Sequence, residues 1–270
     1  MLERDELLRQ LLTALSARPE INAVYAFGGQ VAGAVDLYSD IDLVICSDRP
    51  ETTRCYYAHI FSTISPIRAQ LVLVNKSDIY AAMCLLCDVA PYQKIDFSIV
   101  ANIETQTHFG PFQVLYKNQK ELEPAGPMNI LPIENDLQNQ LNDLLFSIPR
   151  FTKYLFRGDL CQYQRWQGVL NRALALLYEK HFAAQPPKLN SHQHQELYAV
   201  LPSVEKNKIA AIMPINGSLN LPDSFLKSID LVVDLYREKA TACDKIIDED
   251  FVGYMQSFLA DETRRFSQSI

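Results

Sequence analysis

The sequence lacks any apolar run near the ~20 residues that a membrane-spanning helix needs. Residues 2–8 are too rich in charge to form the apolar segment of a secretory signal peptide. We therefore expect a cytoplasmic protein that has no membrane partner.

Tracts rich in lysine and arginine are also missing. The chain has 25 basic and 32 acidic residues in a total of 270, which gives a formal net charge of −7. Proteins that bind duplex DNA or RNA usually carry a basic surface, so we expect no nucleic-acid partner. An acidic cleft would instead attract a cationic small molecule.

A disulfide framework is equally absent from the pattern, because most of the six cysteines lie in apolar surroundings that suit reduced core thiols. Cys84 and Cys87 have the spacing of one half of a zinc knuckle, but no second pair follows. We therefore predict no structural zinc. Internal repeats and low-complexity tracts are also lacking.

Residues 25–46 are the most informative part of the chain. An apolar strand ends at the double glycine Gly28 and Gly29, and a second apolar strand follows that carries Asp40 and Asp42. Glycines at the end of a strand let the backbone approach a ligand closely. A short helix from about Gln30 would direct its free N–H groups at phosphates.

The two carboxylates share one face of the second strand. Side chains alternate along a strand, so Ile41, Leu43 and Ile45 can face a core while Asp40 and Asp42 project from the other side. Their Cβ atoms should lie about 7 Å apart. Side chains that converge from this spacing can hold one divalent ion, or two ions about 3.5–4 Å apart.

This segment resembles the glycine and Ser-Asp-Ile-Asp pattern of the nucleotidyltransferase superfamily that includes DNA polymerase β. It is most similar to the bacterial enzymes that adenylylate aminoglycosides or lincosamides. The second glycine departs from the common form, which has a serine there that contacts the triphosphate. The positions that match are Gly28, Gly29, Gly33, Ser39, Asp40 and Asp42.

The superfamily pattern requires a third carboxylate on a later strand. Residues 94–100 alternate so that Asp96 shares a face with Lys94 and Ser98, opposite the apolar positions. Asp96 is therefore the predicted third ligand, with Asp88 as a nearby competitor. Lys94 could pair with Asp96 or contact phosphate, although a solvated strand lysine is the commoner outcome.

The remaining pattern predicts an α+β protein. Strands are expected over residues 70–75 and 113–117, and the Pro- and Gly-containing segment 123–127 marks a boundary. A small mixed-sheet nucleotidyltransferase core over residues 1–127 is expected to precede an all-helical, acceptor-binding domain over residues 128–270. Its helices are predicted at about 136–156, 160–182, 192–200, 204–213, 222–243 and 247–266.

Three residues of the helical half are open to two interpretations. Arg157 and Arg165 are candidates for triphosphate contact, or they are solvated. Trp166 could stack on a nucleobase or an antibiotic ring, but an ordinary core position is the commoner place for a tryptophan. We assign no chemistry to the five histidines.

The resemblance implies transfer of a nucleotidyl group, in the first instance adenylyl, from ATP or another NTP to a hydroxyl of a small molecule. It implies that Asp40, Asp42 and Asp96 are catalytic and bind two Mg²⁺ ions. The residues expected to contact the nucleotide are Gly28, Gly29, Ser39 and Lys94.

Two other classes of function remain open. One is a nucleotide-binding regulatory or antitoxin-like protein without transfer activity, and the other is a nucleic-acid end-modifying transferase, which the acidic charge disfavours. The sequence also leaves open whether the protein is a monomer or a homodimer.

Overall fold

The computed structural model describes residues 2–103, 111–118, 128–130, 136–159, 161–182, 198–214 and 221–269. The chain divides into two compact units, Met1–Glu134 and Asn135–Ile270. The predicted break at 123–127 and most of the predicted helix at 192–200 lie outside the described residues.

In its described residues the first unit is a mixed six-stranded sheet with two helices, and a mixed sheet is what the sequence predicts. The elements are α1 (Arg4–Ser16), β1 (Ile21–Ala26), β2 (Ile41–Ser47), α2 (Pro50–Ser62), β3 (Ile67–Asn75), β4 (Ile79–Leu86), β5 (Ile95–Val100) and β6 (Gln113–Lys117). The strand order is β3-β4-β5-β2-β1-β6. Among these strands only β2 and β5 pair in parallel; the other neighbouring strands are antiparallel.

Strand β4 is absent from the sequence prediction. Each of its eight residues is buried, so it shows none of the alternation that marks a half-exposed strand. It lies between β3 and β5 and pairs with both of them. A continuous apolar run of this length fits a buried strand or a buried helix equally well, and only its pairing partners decide.

Apolar side chains of α1 and α2 cover one face of the sheet. Leu7, Leu11 and Leu15 recur every four residues on α1 and are fully buried. On α2, the ring of Phe61 meets that of Phe97 from β5 edge to face, with the centroids 5.1 Å apart. This packing fixes the odd-numbered residues of β5 in the core and leaves its even-numbered residues on the opposite face.

The described residues of the second unit form helices joined by turns. Phe151 stacks on Phe225 with the ring centroids 3.6 Å apart, which joins the helix Asp136–Phe156 to the helix Leu221–Ala242. The helices are α3 (Asp136–Phe156), α4 (Cys161–Phe182), α5 (Ser203–Ala211), α6 (Leu221–Ala242) and α7 (Glu249–Ser269). Across the described part of the chain, no helix combines the length and the apolar character needed to cross a membrane.

A left-handed glycine lies in the turn between α3 and α4. Gly158 adopts a left-handed conformation with φ of 64°. The backbone N–H of Cys161 donates to Asp159 Oδ1 at 2.9 Å, and this bond lowers the pKa of that carboxyl. Asp159 therefore satisfies a free N–H at the start of α4.

The Phe61 contact gives a stability prediction. Phe61→Ala should lower the free energy of unfolding of the first unit by about 3–5 kcal/mol, because it opens a cavity against the sheet. Tyr56→Ala, on the same helix but 48% exposed, should change it by less than about 0.5 kcal/mol. Urea unfolding of both variants measures the difference. Equal losses would show that α2 does not pack on the sheet through Phe61.

Candidate active site

The parallel pairing of β2 with β5 brings two of the predicted carboxylates together. Asp42 is the direct partner of Asp96 in the register. Neighbouring strands lie about 4.8 Å apart, and residues side by side in a parallel pair project from the same face. Both side chains are partly buried on the face opposite α1 and α2. Residues 54 positions apart in the chain therefore form one acidic patch.

Lys94 is the cation of this patch. Its Nζ lies 2.6 Å from Asp40 Oδ2 and 3.7 Å from Asp96 Oδ2, and its side chain is only 2% exposed. The interpretation of Lys94 as a solvated strand lysine is therefore wrong. The ammonium loses its water on burial, and the two carboxylates replace that hydration with charge-assisted contacts.

The glycine turn closes directly on Asp42. Gly28 has φ of 67°, and a Cβ added to it would lie 2.7 Å from Asp42 Oδ2. Both the backbone conformation and the available space therefore require glycine at this position. Gly29 has no positive φ, and the nearest atom to an added Cβ is the Ala34 carbonyl oxygen at 3.7 Å. Gly33 shares the φ of 67° but faces open space.

The helix expected from about Gln30 is instead a single 3-10 turn over Gly28–Gln30. This prediction was wrong because loose turns at residues 31–33 and 37–38, rather than a continuing helix, lead to β2. The turn is closed by the backbone N–H of Val31, which donates to the Gly28 carbonyl at 3.2 Å.

Ser39 shapes the loop that delivers Asp40. Its hydroxyl donates to Asp36 Oδ1 at 2.9 Å, and it accepts from the Asp36 backbone N–H at 3.0 Å. The residue is 6% exposed. These bonds give Ser39 a structural task in the loop, and its contact with phosphate stays a prediction.

Asp88, the other candidate for the third carboxylate, is hydrogen-bonded to Ser65. Its Oδ2 accepts from the Ser65 hydroxyl at 2.9 Å, and its backbone N–H donates to the same hydroxyl at 3.1 Å. Asp96, by contrast, lies beside Asp42 and near Lys94. The geometry therefore favours Asp96 as the third carboxylate of the cluster.

Arg4 is a site residue that sequence reasoning missed. Its guanidinium donates to the Asp40 carbonyl at 3.4 Å and to Gln30 Oε1 at 2.9 Å, and its side chain is 11% exposed. It thereby ties α1 to both the glycine turn and the start of β2. A single arginine at the beginning of an amphipathic helix gives no sequence signal for this role.

Beyond the carboxylates, the same face of the sheet becomes apolar. Val44, Cys46 and Val100 belong to a buried cluster against which Tyr25 and Phe112 pack. Burial raises the pKa of the Cys46 thiol to about 12, so it stays protonated at neutral pH. Cys46 is therefore neither a nucleophile nor a thiolate ligand.

The carboxylates have the chemistry that Mg²⁺ requires, because hard oxygen donors are its ordinary protein ligands. The missing Cβ of Gly28 also keeps space open beside Asp42 Oδ2. No group of three or more His, Cys, Asp or Glu side chains in the described residues is already arranged around a metal position. Asp40 is directed at Lys94 instead. The donor atoms therefore suit the ion chemically, and the Lys94 ion pair occupies one of them in this structure.

The candidates in the helical unit show no convergence on one site. Arg157 is exposed, and Arg165 places its guanidinium 5.8 Å from the ring centroid of Tyr154. Trp166 is 9% exposed and belongs to the core of its unit. Of its two interpretations, the structure favours the core position.

Comparison with known proteins identifies the first unit. Residues 8–107 match the family model described as a nucleotidyltransferase domain. The match lies within the first unit and does not extend over the rest of the chain. No curated protein matches the chain.

Two solved structures are similar to the chain at low identity. Aminoglycoside 6-adenyltransferase from Bacillus subtilis is 11% identical, with a TM-score of 0.40 and coverage of 97% of this chain and 99% of that one. Spectinomycin adenyltransferase AAD(9) from Enterococcus faecialis, in complex with ATP and spectinomycin, is 12% identical, with a TM-score of 0.27 and coverage of 85% and 98%.

Gly28 and Gly33, the two left-handed glycines between β1 and β2, supply a matched test of the turn. Gly28→Ala and Gly33→Ala should each lose about 1–2 kcal/mol of stability, because alanine is strained at a positive φ. Only Gly28→Ala should also weaken Mn²⁺ binding, since its methyl group displaces Asp42. Urea unfolding and Mn²⁺ titration measure the two effects. Equal Mn²⁺ affinity in both variants would show that Gly28 is needed only for the conformation of the turn and not for metal binding.

Proposed function

We propose that the protein transfers a nucleotidyl group from an NTP to a hydroxyl of a small-molecule acceptor in a Mg²⁺-dependent reaction. The observation that carries this proposal is the register that sets Asp42 beside Asp96, next to a glycine turn with room at Asp42. The domain match over residues 8–107 supports the same reaction class.

In this proposal Asp40, Asp42 and Asp96 hold Mg²⁺. When bound, the ions neutralise charge on the α-phosphate and on the leaving pyrophosphate. The backbone of Gly28 and Gly29 lies where phosphate can approach closely.

Asp96 is the proposed general base. The acceptor hydroxyl oxygen forms a bond to the α-phosphorus, and the bond from that phosphorus to the bridging oxygen of pyrophosphate breaks. The hydroxyl proton passes to the Asp96 carboxylate. Pyrophosphate leaves with the electron pair of the broken bond, so the transfer needs no further reactant.

ATP and a cationic antibiotic are the first substrates to test. The resemblance of residues 25–46 to antibiotic adenylyltransferases implies ATP as donor and an aminoglycoside or lincosamide as acceptor. The net charge of −7 suits a cationic acceptor. Incubation with each candidate, followed by mass spectrometry, would detect the gain of one adenylyl group. Other NTPs in the same assay would determine the base preference.

A second candidate is a nucleotide-binding protein that transfers nothing. The Lys94 ion pair is the observation that favours it, because this ammonium already lies beside two of the three carboxylates. Release of pyrophosphate that depends on an acceptor would exclude this candidate. Nucleotide binding without pyrophosphate release, across the full panel of acceptors, would favour it.

The proposed function predicts that nucleotide binding depends on metal. ATP should bind only with Mg²⁺ or Mn²⁺, since the triphosphate and the carboxylates otherwise repel each other. Asp42→Asn should weaken this binding by roughly tenfold or more. Asp78→Asn, which removes an exposed carboxylate between β3 and β4, should bind as wild type does. Calorimetry with and without chelator makes the measurement. Equal affinity in chelator, together with an unaffected Asp42→Asn, would contradict the metal assignment.

Substitution of Asp96 is expected to separate catalysis from nucleotide binding. Asp96→Asn should retain much of the Mg-ATP affinity but lose roughly 10²–10⁴-fold in transfer rate, because a general base acts mainly in the transition state. Asp88→Asn is the matched control and should transfer at a rate near wild type. The rates are measured with whichever acceptor the screen identifies. If Asp88→Asn lost transfer activity while Asp96→Asn kept it, Asp88 and not Asp96 would be the third carboxylate.

A further inference from the structure

Lys94 is buried to an extent that is unusual for a lysine. Its side chain is 2% exposed, and burial of an ammonium is costly unless opposite charges surround it. Asp40 Oδ2 at 2.6 Å is its close partner, and Asp96 Oδ2 at 3.7 Å is a second, longer one. The carboxylates are therefore the reason that the lysine can lie inside the protein.

The backbones of Lys94 and Asp40 are fixed by hydrogen bonds that do not involve their side chains. The Lys94 carbonyl accepts from the backbone N–H of Ile41 at 3.0 Å, which extends the ladder between β2 and β5. The Asp40 carbonyl accepts from Arg4 Nε at 3.4 Å. The Lys94–Asp40 ion pair is thus made by the side chains alone, and these backbone bonds do not depend on it.

We propose that Lys94 is a resident counter-ion that competes with a divalent cation for Asp40 and Asp96. Without metal, the ammonium offsets part of the negative charge of the cluster and stabilises the unit. When a divalent ion binds, Asp40 turns from the ammonium to the ion, and the ammonium moves away because the two cations repel each other. This inference rests on the proposed function, since it takes these carboxylates to be metal ligands.

The two cations cannot be held equally well by the same oxygens. Asp40 Oδ2 is already at hydrogen-bond distance from the ammonium. An ion at the carboxylates would also lie within a few ångströms of a buried positive charge, where repulsion is screened less than in water. Metal binding in the wild-type protein therefore includes the cost of breaking an ion pair. A variant without the ammonium does not bear that cost.

The test uses Lys94→Met, which keeps the length and apolar character of the side chain and removes its charge. Without metal, this variant should melt at a lower temperature than wild type, because Asp40 and Asp96 lose their ammonium partner. Its Mn²⁺ affinity should rise by about tenfold or more, since both the repulsion and the competing ion pair are gone. Calorimetric titration with Mn²⁺ alone and thermal unfolding with and without Mn²⁺ measure these effects. Neither measurement needs a nucleotide or an acceptor.

Lys76→Met is the matched control. Lys76 is exposed in the same unit, so its loss makes the same change in net charge but leaves the cluster intact. It should bind Mn²⁺ as wild type does. If Lys94→Met fails to fold without metal, Lys94→Gln replaces it, and Mn²⁺ should then raise the melting temperature of this variant more than that of wild type.

The outcomes separate this inference from the proposed function. Equal or weaker Mn²⁺ affinity in the Lys94 variant, with wild-type binding that depends on Asp42, would overturn the counter-ion exchange and leave the proposed function standing. No Mn²⁺ binding in either protein would contradict the metal site itself. A gain in affinity that Lys76→Met also shows would overturn the exchange, since net charge alone would then account for it.

Discussion

The parallel pairing of β2 with β5 is the constraint on which the site depends. Successive side chains of a strand point to opposite faces, so a shift of one residue in this register would turn Asp96 into the core and Phe97 out of it. The Phe97 ring meets aromatic side chains of α2, and this packing opposes such a shift. The hydrophobic core on one face thereby fixes the position of the carboxylates on the other.

Charge balance is the second constraint on this face. Three aspartates in a partly buried position repel one another unless a cation is near. In the structure that cation is Lys94, which immediately precedes β5. Under the proposed function, a divalent ion would have to displace this ammonium. Burial of the lysine and binding of the ion would then oppose each other at the same carboxylates, as is common where function requires unfavourable electrostatics.

Much of the fold follows from the sequence because its signals are local. Alternation of apolar and polar residues predicts β2 and β5. The mixed sheet and the helical second unit are confirmed, and residues 8–107 match a nucleotidyltransferase domain. Local sequence patterns gave no prediction or a wrong one where the secondary structure depends on residues far apart in the chain. Strand β4 is uniformly apolar, and the helix expected after Gly29 is only a 3-10 turn.

The sequence by itself determined which residues are candidates for the proposed chemistry: the glycine turn, two aspartates at a spacing of two, and a later aspartate in the matching phase. Tertiary structure alone decided what surrounds them. The burial of Lys94, the contact between Arg4 and Asp40, and the closeness of Gly28 to Asp42 each join residues from separate elements. Alternation along a strand fixes the face of a side chain, but only strand pairing and core packing fix its neighbours.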